Sequence, residues 1–242
     1  MALGEGATLA ARPRLVMASA DDQAVGSLAD RFDQVRRRIA AAGGDRPITL
    51  VAVTKGFGPQ TVAAAVALGI HDIGENYAQE LLAKAAALPS DGAVPRWHFL
   101  GSLQTNKAAR LAPLVWRWHA IDREAAGAAL VRHQPGAQVF VEVNVAGIEG
   151  RAGCRPEETA SLVAHLVDAG LDVRGLMTVA PPGDPARARQ VFRSLAECSR
   201  QLGLAELSMG MSDDFEIAIE EGATTVRLGR ALFGPRPGSA GA

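Results

Sequence analysis

Four short segments place reactive or polar side chains directly after runs that are typical of β-strands. The first is VAVTK, in which strand alternation puts Lys55 on the same face as Val51 and Val53. If that face lines a barrel, apolar residues lie beneath the amine, and the loss of hydration lowers its pKa. A neutral amine can attack an aldehyde and form an imine. The alternative is a lysine that faces solvent at the start of a loop.

The second and third segments supply groups that could orient a ligand. Asn76, in GENY, would project from a strand end, where its amide can donate to an oxygen beside an imine; it could instead cap the next helix. In MGMSDDFEIA a strand ends at a glycine, and Ser212 or Asp213 begins a helix, with Asp213 and Glu216 fitting a capping box. The N–H groups of such a helix start form an anion site, although an ordinary capped helix would show the same pattern.

The fourth segment, VRLGRALFG, holds an arginine within a strand. Alternation places Arg227 opposite to Val226 and Leu228, so that it points into the barrel near its mouth. A buried guanidinium needs an acceptor, and Glu142 on another strand is one alternative to a ligand. Gly229 lets the backbone approach a ligand closely. The four segments together suit an aromatic aldehyde that carries a phosphate.

These side chains can meet only if the strands are parallel neighbours. Short β-branched runs alternate with helical segments, and the predicted strands cover 48–54, 71–74, 96–101, 118–121, 138–145, 173–179, 206–210 and 224–229. Eight such units predict an α/β fold, a (β/α)8 TIM-type barrel, with an extra N-terminal helix over 21–42. A doubly wound open sheet is the competing architecture. We expect a flexible extension at 1–20, one barrel domain at 21–236 and a disordered tail at 237–242.

Length and composition indicate one globular domain and give no sign of a protein that binds nucleic acid, membranes or metal. The chain has 242 residues, of which 48% are hydrophobic, and this is enough for one large core. Its net charge is -1, so neither nucleic acid nor a membrane surface is an expected partner. The two cysteines, Cys154 and Cys198, form no disulfide framework, and we expect a cytoplasmic protein. The histidines show no metal-ligand spacing, so no metal is expected.

The order of the motifs is that of a known family. AVTK, DIGENYAQE, WHFLGSLQTNK, VNVAG, RGLM, LSMGMSDDFEIAI and VRLGRALFG follow one another along the chain. In these motifs the sequence resembles the pyridoxal phosphate homeostasis proteins, small relatives of the alanine racemase barrel domain, over nearly its whole length. The resemblance implies a barrel that binds pyridoxal 5′-phosphate (PLP) and carries or buffers it, and so contributes to vitamin B6 and amino-acid homeostasis.

The resemblance also implies roles around the cofactor ring. Lys55 matches the lysine that holds PLP as a Schiff base, Asn76 an asparagine beside the ring, and Arg227 the arginine that donates to the pyridine nitrogen. Because arginine only donates, it favours an unprotonated pyridine nitrogen, which is a weak electron sink. This suits storage of the cofactor, or racemase-like chemistry, better than transamination.

Two loops are implied to hold the phosphate. Gly210, Met211 and Ser212 match one phosphate-binding turn, and Gly229 with Arg230 match the second. Family members often carry Thr or Ser where Arg230 stands, so a hydroxyl contact to the phosphate is replaced by the guanidinium or the backbone N–H. The loop after the lysine reads GFGPQ, which also departs from the usual form.

Three functions are compatible with these residues: a PLP carrier, a PLP-dependent racemase or decarboxylase, and a Schiff-base aldolase that acts on a sugar phosphate. Related racemases add a second domain that brings a catalytic tyrosine, whereas this chain stops after the eighth strand and its single tyrosine, Tyr77, begins a helix. We therefore expect a non-catalytic carrier without catalytic residues, a monomer that meets PLP-dependent apo-enzymes transiently.

Overall fold

Eight parallel strands close into a barrel. The structure is a computed structural model that describes residues 27–89 and 94–236. The strands follow one another in sequence order, and β8 pairs with β1. The predicted barrel is confirmed and the open sheet is excluded. The strands are β1 Thr49–Val53, β2 Asp72–Glu75, β3 Arg96–Phe99, β4 Val115–Ile121, β5 Gln138–Glu142, β6 Asp172–Met177, β7 Glu206–Ser208 and β8 Thr225–Leu228.

Helices cover the outside of the barrel, as parallel strands require. One precedes β1, and the others lie between strands or after β8 in the described residues. Short 3-10 turns lead into α4 and α6. The helices are α1 Leu28–Gly43, α2 Pro59–Ala67, α3 Ala78–Ala87, α4 Ala108–Leu111, α5 Glu124–His133, α6 Thr159–Asp168, α7 Pro185–Gln201, α8 Phe215–Glu220 and α9 Arg230–Phe233.

The extra N-terminal helix begins later than residue 21. Ser27 caps α1: its side chain accepts from the Asp30 N–H at 3.2 Å, and the Asp30 carboxylate accepts from the Ser27 N–H at 2.9 Å. This reciprocal pair stabilises a helix start at Leu28. The predicted part of the helix before it, 21–26, lies outside the described residues, as do the predicted extension at 1–20 and the tail at 237–242.

The predicted start of α8 is also wrong. The helix begins at Phe215, and its N-cap, Asp214, makes no side-chain capping bond. The expected capping box of Asp213 and Glu216 is absent because Glu216 instead pairs with Arg38 of α1 at 2.6 Å. The turn before α8 is thereby longer than the sequence suggested.

Helix α1 joins the two ends of the barrel. It packs against α8 and α9, and Arg31 in the helix and Arg46 just after it bind backbone carbonyls of these two helices. Arg31 Nε donates to the Leu232 carbonyl at 2.6 Å, and Arg46 donates to the Ile219 carbonyl at 2.5 Å. The first described helix is therefore held against the last two.

Because side chains alternate along each strand, one core lies between the barrel and the helices and a second lies inside the barrel. Outward side chains such as Val226 and Leu228 pack with the helices in one large cluster. Inward side chains fill the barrel, where Phe140 and Met177 form a small apolar cluster. Arg227 lies between the two outward residues of β8 and points inward, as predicted. In the described part of the chain, no helix is long and apolar enough to cross a membrane, and no cluster of three metal-binding side chains occurs.

Candidate functional site

One large cavity opens at the carboxyl ends of the strands, where the predicted site segments lie. Its volume is about 750 Å³, within the range of small-molecule sites. Apolar side chains and a few polar groups share its wall. The predicted site residues that line it are Lys55, Asn76, Met211, Ser212, Arg227, Gly229 and Arg230.

Lys55 presents an amine with a lowered pKa to this cavity. Burial disfavours the charged form, and the positive charges of Arg236 and Arg227 lower the pKa further. Within the described residues, the Lys55 Nζ has no hydrogen-bond or ion-pair partner. The amine is therefore available to a ligand, and the solvent-facing alternative is wrong because the side chain is half-buried in the cavity wall.

A buried ion-pair network fixes the two residues on either side of the cavity lysine. Lys84 Nζ donates to the Thr54 carbonyl at 2.7 Å and to the Glu75 carboxylate at 2.5 Å. The Thr54 hydroxyl donates to the same carboxylate at 2.5 Å. The Gly56 N–H donates to Glu80 at 2.8 Å, and Glu80 in turn accepts from Lys84 at 3.1 Å. Burial raises the pKa of Glu75, which the Lys84 bond opposes.

The Arg227 guanidinium lies in the barrel interior, and two of its N–H groups have no acceptor among the described residues. One terminal nitrogen donates to the Ser208 carbonyl at 2.6 Å and to the Ser208 hydroxyl at 2.7 Å; the other donates to the Thr178 carbonyl at 2.9 Å. These bonds use three of the five guanidinium donors. Burial lowers the pKa of Arg227 to about 10, so the group stays charged at neutral pH. The alternative pairing with Glu142 is not present as a hydrogen bond.

The Glu142 side chain lines the cavity, and its carboxyl group has no hydrogen-bond or ion-pair partner among the described residues. Its side chain lines the cavity at the end of β5, and the residue is 8% exposed. Its carboxyl group makes no hydrogen bond to another described residue, although its backbone carbonyl accepts from the Cys154 N–H at 2.9 Å. Burial raises its pKa to about 7, although the charge of Arg227 opposes the shift. The cavity therefore contains a carboxyl that changes charge near neutrality.

The turn before α8 offers backbone donors, but not at all the predicted positions. The Met211 N–H donates to the Asp214 carboxylate at 2.6 Å, so it is not available to an anion. The N–H groups of Ser212 and Asp213 bind no acceptor among the described residues. A phosphate-sized anion would therefore meet this turn at Ser212 and Asp213.

The two predicted phosphate loops contact each other directly. The Ser212 hydroxyl accepts from the Ala231 N–H at 3.1 Å. The Arg230 guanidinium pairs with the Asp213 carboxylate, and both side chains are exposed. The Arg230 backbone N–H has no acceptor within the described part of the chain. An anion here would meet donors from both loops and compete with Asp213 for the guanidinium.

The two predicted glycines, Gly210 and Gly229, allow close packing of the backbone around the site. Gly210 has φ +93°, and an added Cβ would lie 2.6 Å from the Ala218 Cβ, so it allows the turn to pack on α8 but does not line the cavity. Its carbonyl accepts from the Arg227 N–H at 3.0 Å. Gly229 lines the cavity, yet the close approach that it permits is to the Val53 carbonyl, 3.3 Å from an added Cβ.

Asn76 lines the cavity and does not cap a helix. The N-cap of α3 is Tyr77, so the capping alternative is wrong. The backbone carbonyl of Asn76 lies against Gly101, where an added Cβ would come within 2.1 Å of it. A glycine in WHFLGS is thus needed to bring the ends of β2 and β3 together.

Several cavity residues carried no sequence signal. Phe57, Arg151 and Arg236 come from three separate loops, and only the fold brings them together. Arg151 donates to the Val179 carbonyl at 3.3 Å, and the Arg236 side chain lies 3.1 Å from a Cβ added at Gly56. Neither periodicity nor spacing could have found them.

Comparison with known proteins assigns the chain to a family. The model of the alanine racemase N-terminal domain matches residues 24–237. A protein of Pseudomonas aeruginosa named pyridoxal phosphate homeostasis protein is 39% identical over 224 residues, which covers 87% of this chain and 96% of that protein. The chain belongs to the pyridoxal phosphate homeostasis protein family. The relative of that name in Escherichia coli is 35% identical over 86% of this chain and 97% of its own length.

Solved structures agree with this family. PipY of Synechococcus elongatus PCC7942, solved with PLP bound, is 30% identical, with a TM-score of 0.77 over 86% of this chain and all of PipY. Lysine decarboxylase of Selenomonas ruminantium has the same fold, with a TM-score of 0.62 at 16% identity. This chain covers only 60% of that enzyme.

Proposed function

We propose that this protein binds PLP in the cavity, holds it reversibly through Lys55 and releases it to apo-enzymes without turning over a substrate. The observation that carries the proposal is the convergence of an unpartnered amine, a buried guanidinium with spare donors and free backbone N–H groups on one cavity. The family and the PLP-bound PipY structure support it.

The residues fit the polar groups of PLP. Lys55 would receive the aldehyde, two uncommitted N–H groups of Arg227 would face the pyridine nitrogen, and the N–H groups of Ser212, Asp213 and Arg230 would hold the phosphate. Asn76 would lie beside the ring. When bound, PLP supplies an aldehyde that a primary amine captures reversibly with loss of water. No role is needed for Met211 beyond placing this turn.

A carrier role follows from what the residues can do with protons. Arg227 is charged and can only donate, so it keeps the facing nitrogen unprotonated and limits electron withdrawal. The single tyrosine, Tyr77, is 61% exposed and does not line this cavity, so it cannot supply the second proton donor that related racemases take from a tyrosine. A location in the cytoplasm and a monomeric state remain predictions, the former supported by the free thiols of Cys154 and Cys198.

Replacing Lys55 with alanine tests the proposed function. The sequence has three lysines, at 55, 84 and 107. We expect wild-type protein with PLP to absorb near the violet edge of the visible range, and borohydride followed by peptide mass mapping to place the label on Lys55. Lys55→Ala is expected to lose this band and bind PLP at least about a hundredfold more weakly.

Lys107→Ala is the matched control, because Lys107 does not line the cavity of Lys55; it lines an adjoining, smaller cavity of about 520 Å³. It is expected to bind PLP as the wild type does. A Lys55→Ala variant that retains the band would overturn the proposal. So would turnover of amino acids by the wild type on the order of 1 per second, the range of ordinary enzymes.

Replacing Asp213 with asparagine tests the phosphate end. The variant releases Arg230 from its ion pair while keeping the turn residue similar in shape. We expect PLP binding to tighten by about threefold or more at low salt, and the gain to shrink as salt is added because the site is exposed. Titration of the PLP absorbance at two salt concentrations measures this. Binding that is unchanged or weaker at low salt contradicts the phosphate assignment.

A further inference from the structure

A continuous hydrogen-bond chain runs through the barrel interior beneath Arg227. The Arg227 guanidinium donates to the Ser208 hydroxyl at 2.7 Å. The Ser208 Oγ lies 2.7 Å from His119 Nδ1, and His119 Nε2 lies 2.7 Å from His98 Nδ1. His98 Nε2 lies 3.0 Å from the Asp72 carboxylate at the start of β2. The chain links the cavity with the opposite end of the barrel.

The Asp72 end of the chain fixes the direction of every proton. The Asp72 carboxylate only accepts, so a neutral His98 carries its proton on Nε2 and donates to it, which leaves His98 Nδ1 as an acceptor. His119 then carries its proton on Nε2 and donates to His98 Nδ1. The Ser208 hydroxyl donates to the bare His119 Nδ1, and the Ser208 oxygen accepts from Arg227. All four bonds are made with both imidazoles neutral.

The opposite arrangement leaves acceptors facing each other. If His119 carried its proton on Nδ1, its Nε2 would have to accept from His98 Nδ1. A neutral His98 would then present a bare Nε2 to the Asp72 carboxylate at 3.0 Å. Two acceptors that face each other in the barrel interior have lost their hydrogen bonds to water and gain none in return. This arrangement therefore costs the full desolvation free energy of both groups. One tautomer pair therefore satisfies the whole chain.

We propose that Ser208, His119 and His98 form a one-directional relay of neutral groups that positions the Arg227 guanidinium in the cavity and anchors it to Asp72. The relay goes beyond the proposed function because it assigns roles to residues that do not touch the cavity. It rests on PLP binding only for the identity of the ligand that Arg227 faces.

The surroundings favour neutral imidazoles. Both histidines are fully buried, and burial lowers the pKa of each. The positive charges of Arg96 and Arg117 lower the pKa of His98 further, and Arg117 and Arg227 do the same for His119. Asp72 opposes this at His98, but Arg96 shares its carboxylate through bonds of 2.8 and 2.6 Å.

Aromatic packing holds the two rings in place. The His119 ring centroid lies 4.7 Å from that of Phe140, and the His98 centroid lies 5.1 Å from that of Trp116. The two imidazole centroids are 5.0 Å apart. Rings packed on both sides have few alternative rotamers, so the relay is rigid enough to orient a guanidinium.

Nitrogen NMR of the PLP-free protein tests the tautomers directly. In protein labelled with ¹⁵N-histidine, we expect His98 and His119 each to show a protonated Nε2 and a bare Nδ1, unchanged from about pH 5 to 8. An Nδ1–H tautomer, or titration of either buried histidine in this range, overturns the relay.

Variants of His119 test the positioning of Arg227. His119→Phe removes the acceptor for the Ser208 hydroxyl, and we expect PLP to bind about tenfold more weakly. His119→Asn supplies an amide oxygen in place of Nδ1 and is expected to restore most of the affinity. Phe192→Leu, which disturbs packing in the outer core away from the hydrogen-bond chain, is the control and is expected to leave affinity unchanged.

The outcomes separate the relay from the proposed function. If His119→Phe weakens PLP binding no more than Phe192→Leu does, or if His119→Asn gives no recovery, the relay does not position Arg227. Unfolding curves establish that each variant is folded. If the wild type binds no PLP at all, the proposed function fails, whereas the NMR result still decides the relay.

Discussion

Replacing Lys84 with methionine is expected to lower the free energy of unfolding by about 3–5 kcal/mol. Lys84 is 4% exposed, and it is the cation that binds Glu75 and the Thr54 carbonyl in the interior. Without it, the buried Glu75 carboxylate loses its cationic donor and keeps only the Thr54 hydroxyl, and its other oxygen already has no hydrogen bond. Urea unfolding at neutral pH, followed by circular dichroism, measures the loss.

The control is an ion pair of similar chemistry on the surface. Arg155 and Glu158 pair at 2.5 Å, but the Arg155 side chain is 70% exposed. Arg155→Met is expected to leave unfolding unchanged because solvent screens such pairs. The double variant Lys84→Met with Glu75→Gln should regain part of the loss. If Lys84→Met is as stable as the wild type, the network does not hold the strand end that carries Lys55.

Compared with the wild type, Glu142→Gln is expected to have a higher free energy of unfolding at pH 8, and this gain is expected to be smaller at pH 4.5. Both proteins are compared without PLP. Burial raises the pKa of Glu142 from 4.5 to about 7 in the folded protein. Below pH 4.5 the carboxyl is protonated in both states, so the shift has no effect. Between pH 4.5 and about 7 the unfolded chain loses the proton more readily, and stability falls as pH rises. Above that window the loss is constant.

The expected size of this effect follows from the shift. A rise in pKa from 4.5 to about 7 corresponds to roughly 3–4 kcal/mol, since one pKa unit is equivalent to about 1.4 kcal/mol. Relative to wild type, Glu142→Gln should therefore gain that much between pH 4.5 and 8 in urea unfolding. Glu157→Gln, which replaces an exposed carboxylate, is the control variant. A Glu142→Gln difference that does not change with pH contradicts the assignment.

The strands were predictable because local sequence determines them. Each is a short β-branched or apolar run that lies between turn residues, and all eight occur where the pattern placed them. The start of α8 was not predictable, because the partner that draws Glu216 away from a capping role, Arg38, is distant in sequence. Such competition between local and tertiary partners is invisible to a local motif.

The position of a cavity side chain was predictable where the sequence of a single strand determines it. Lys55 and Arg227 each follow from alternation in a single strand, so no knowledge of neighbouring strands was needed. The relay through His98 and His119 was not predictable, because it depends on the register between strands and on which interior layer each ring occupies. The functional roles of the cavity residues remain predictions that the variants above test.

The barrel closure has a consequence for biosynthesis. Strand β1 pairs with β8, so Thr49 lies opposite Thr225 and Val51 opposite Arg227. On a translating ribosome, the segment with Lys55 emerges long before its partner strand, and N-terminal parts of a chain emerge first. A nascent chain that still lacks β8 therefore has the amine without the facing guanidinium. The proposed binding site is therefore complete only after β8 has paired with β1.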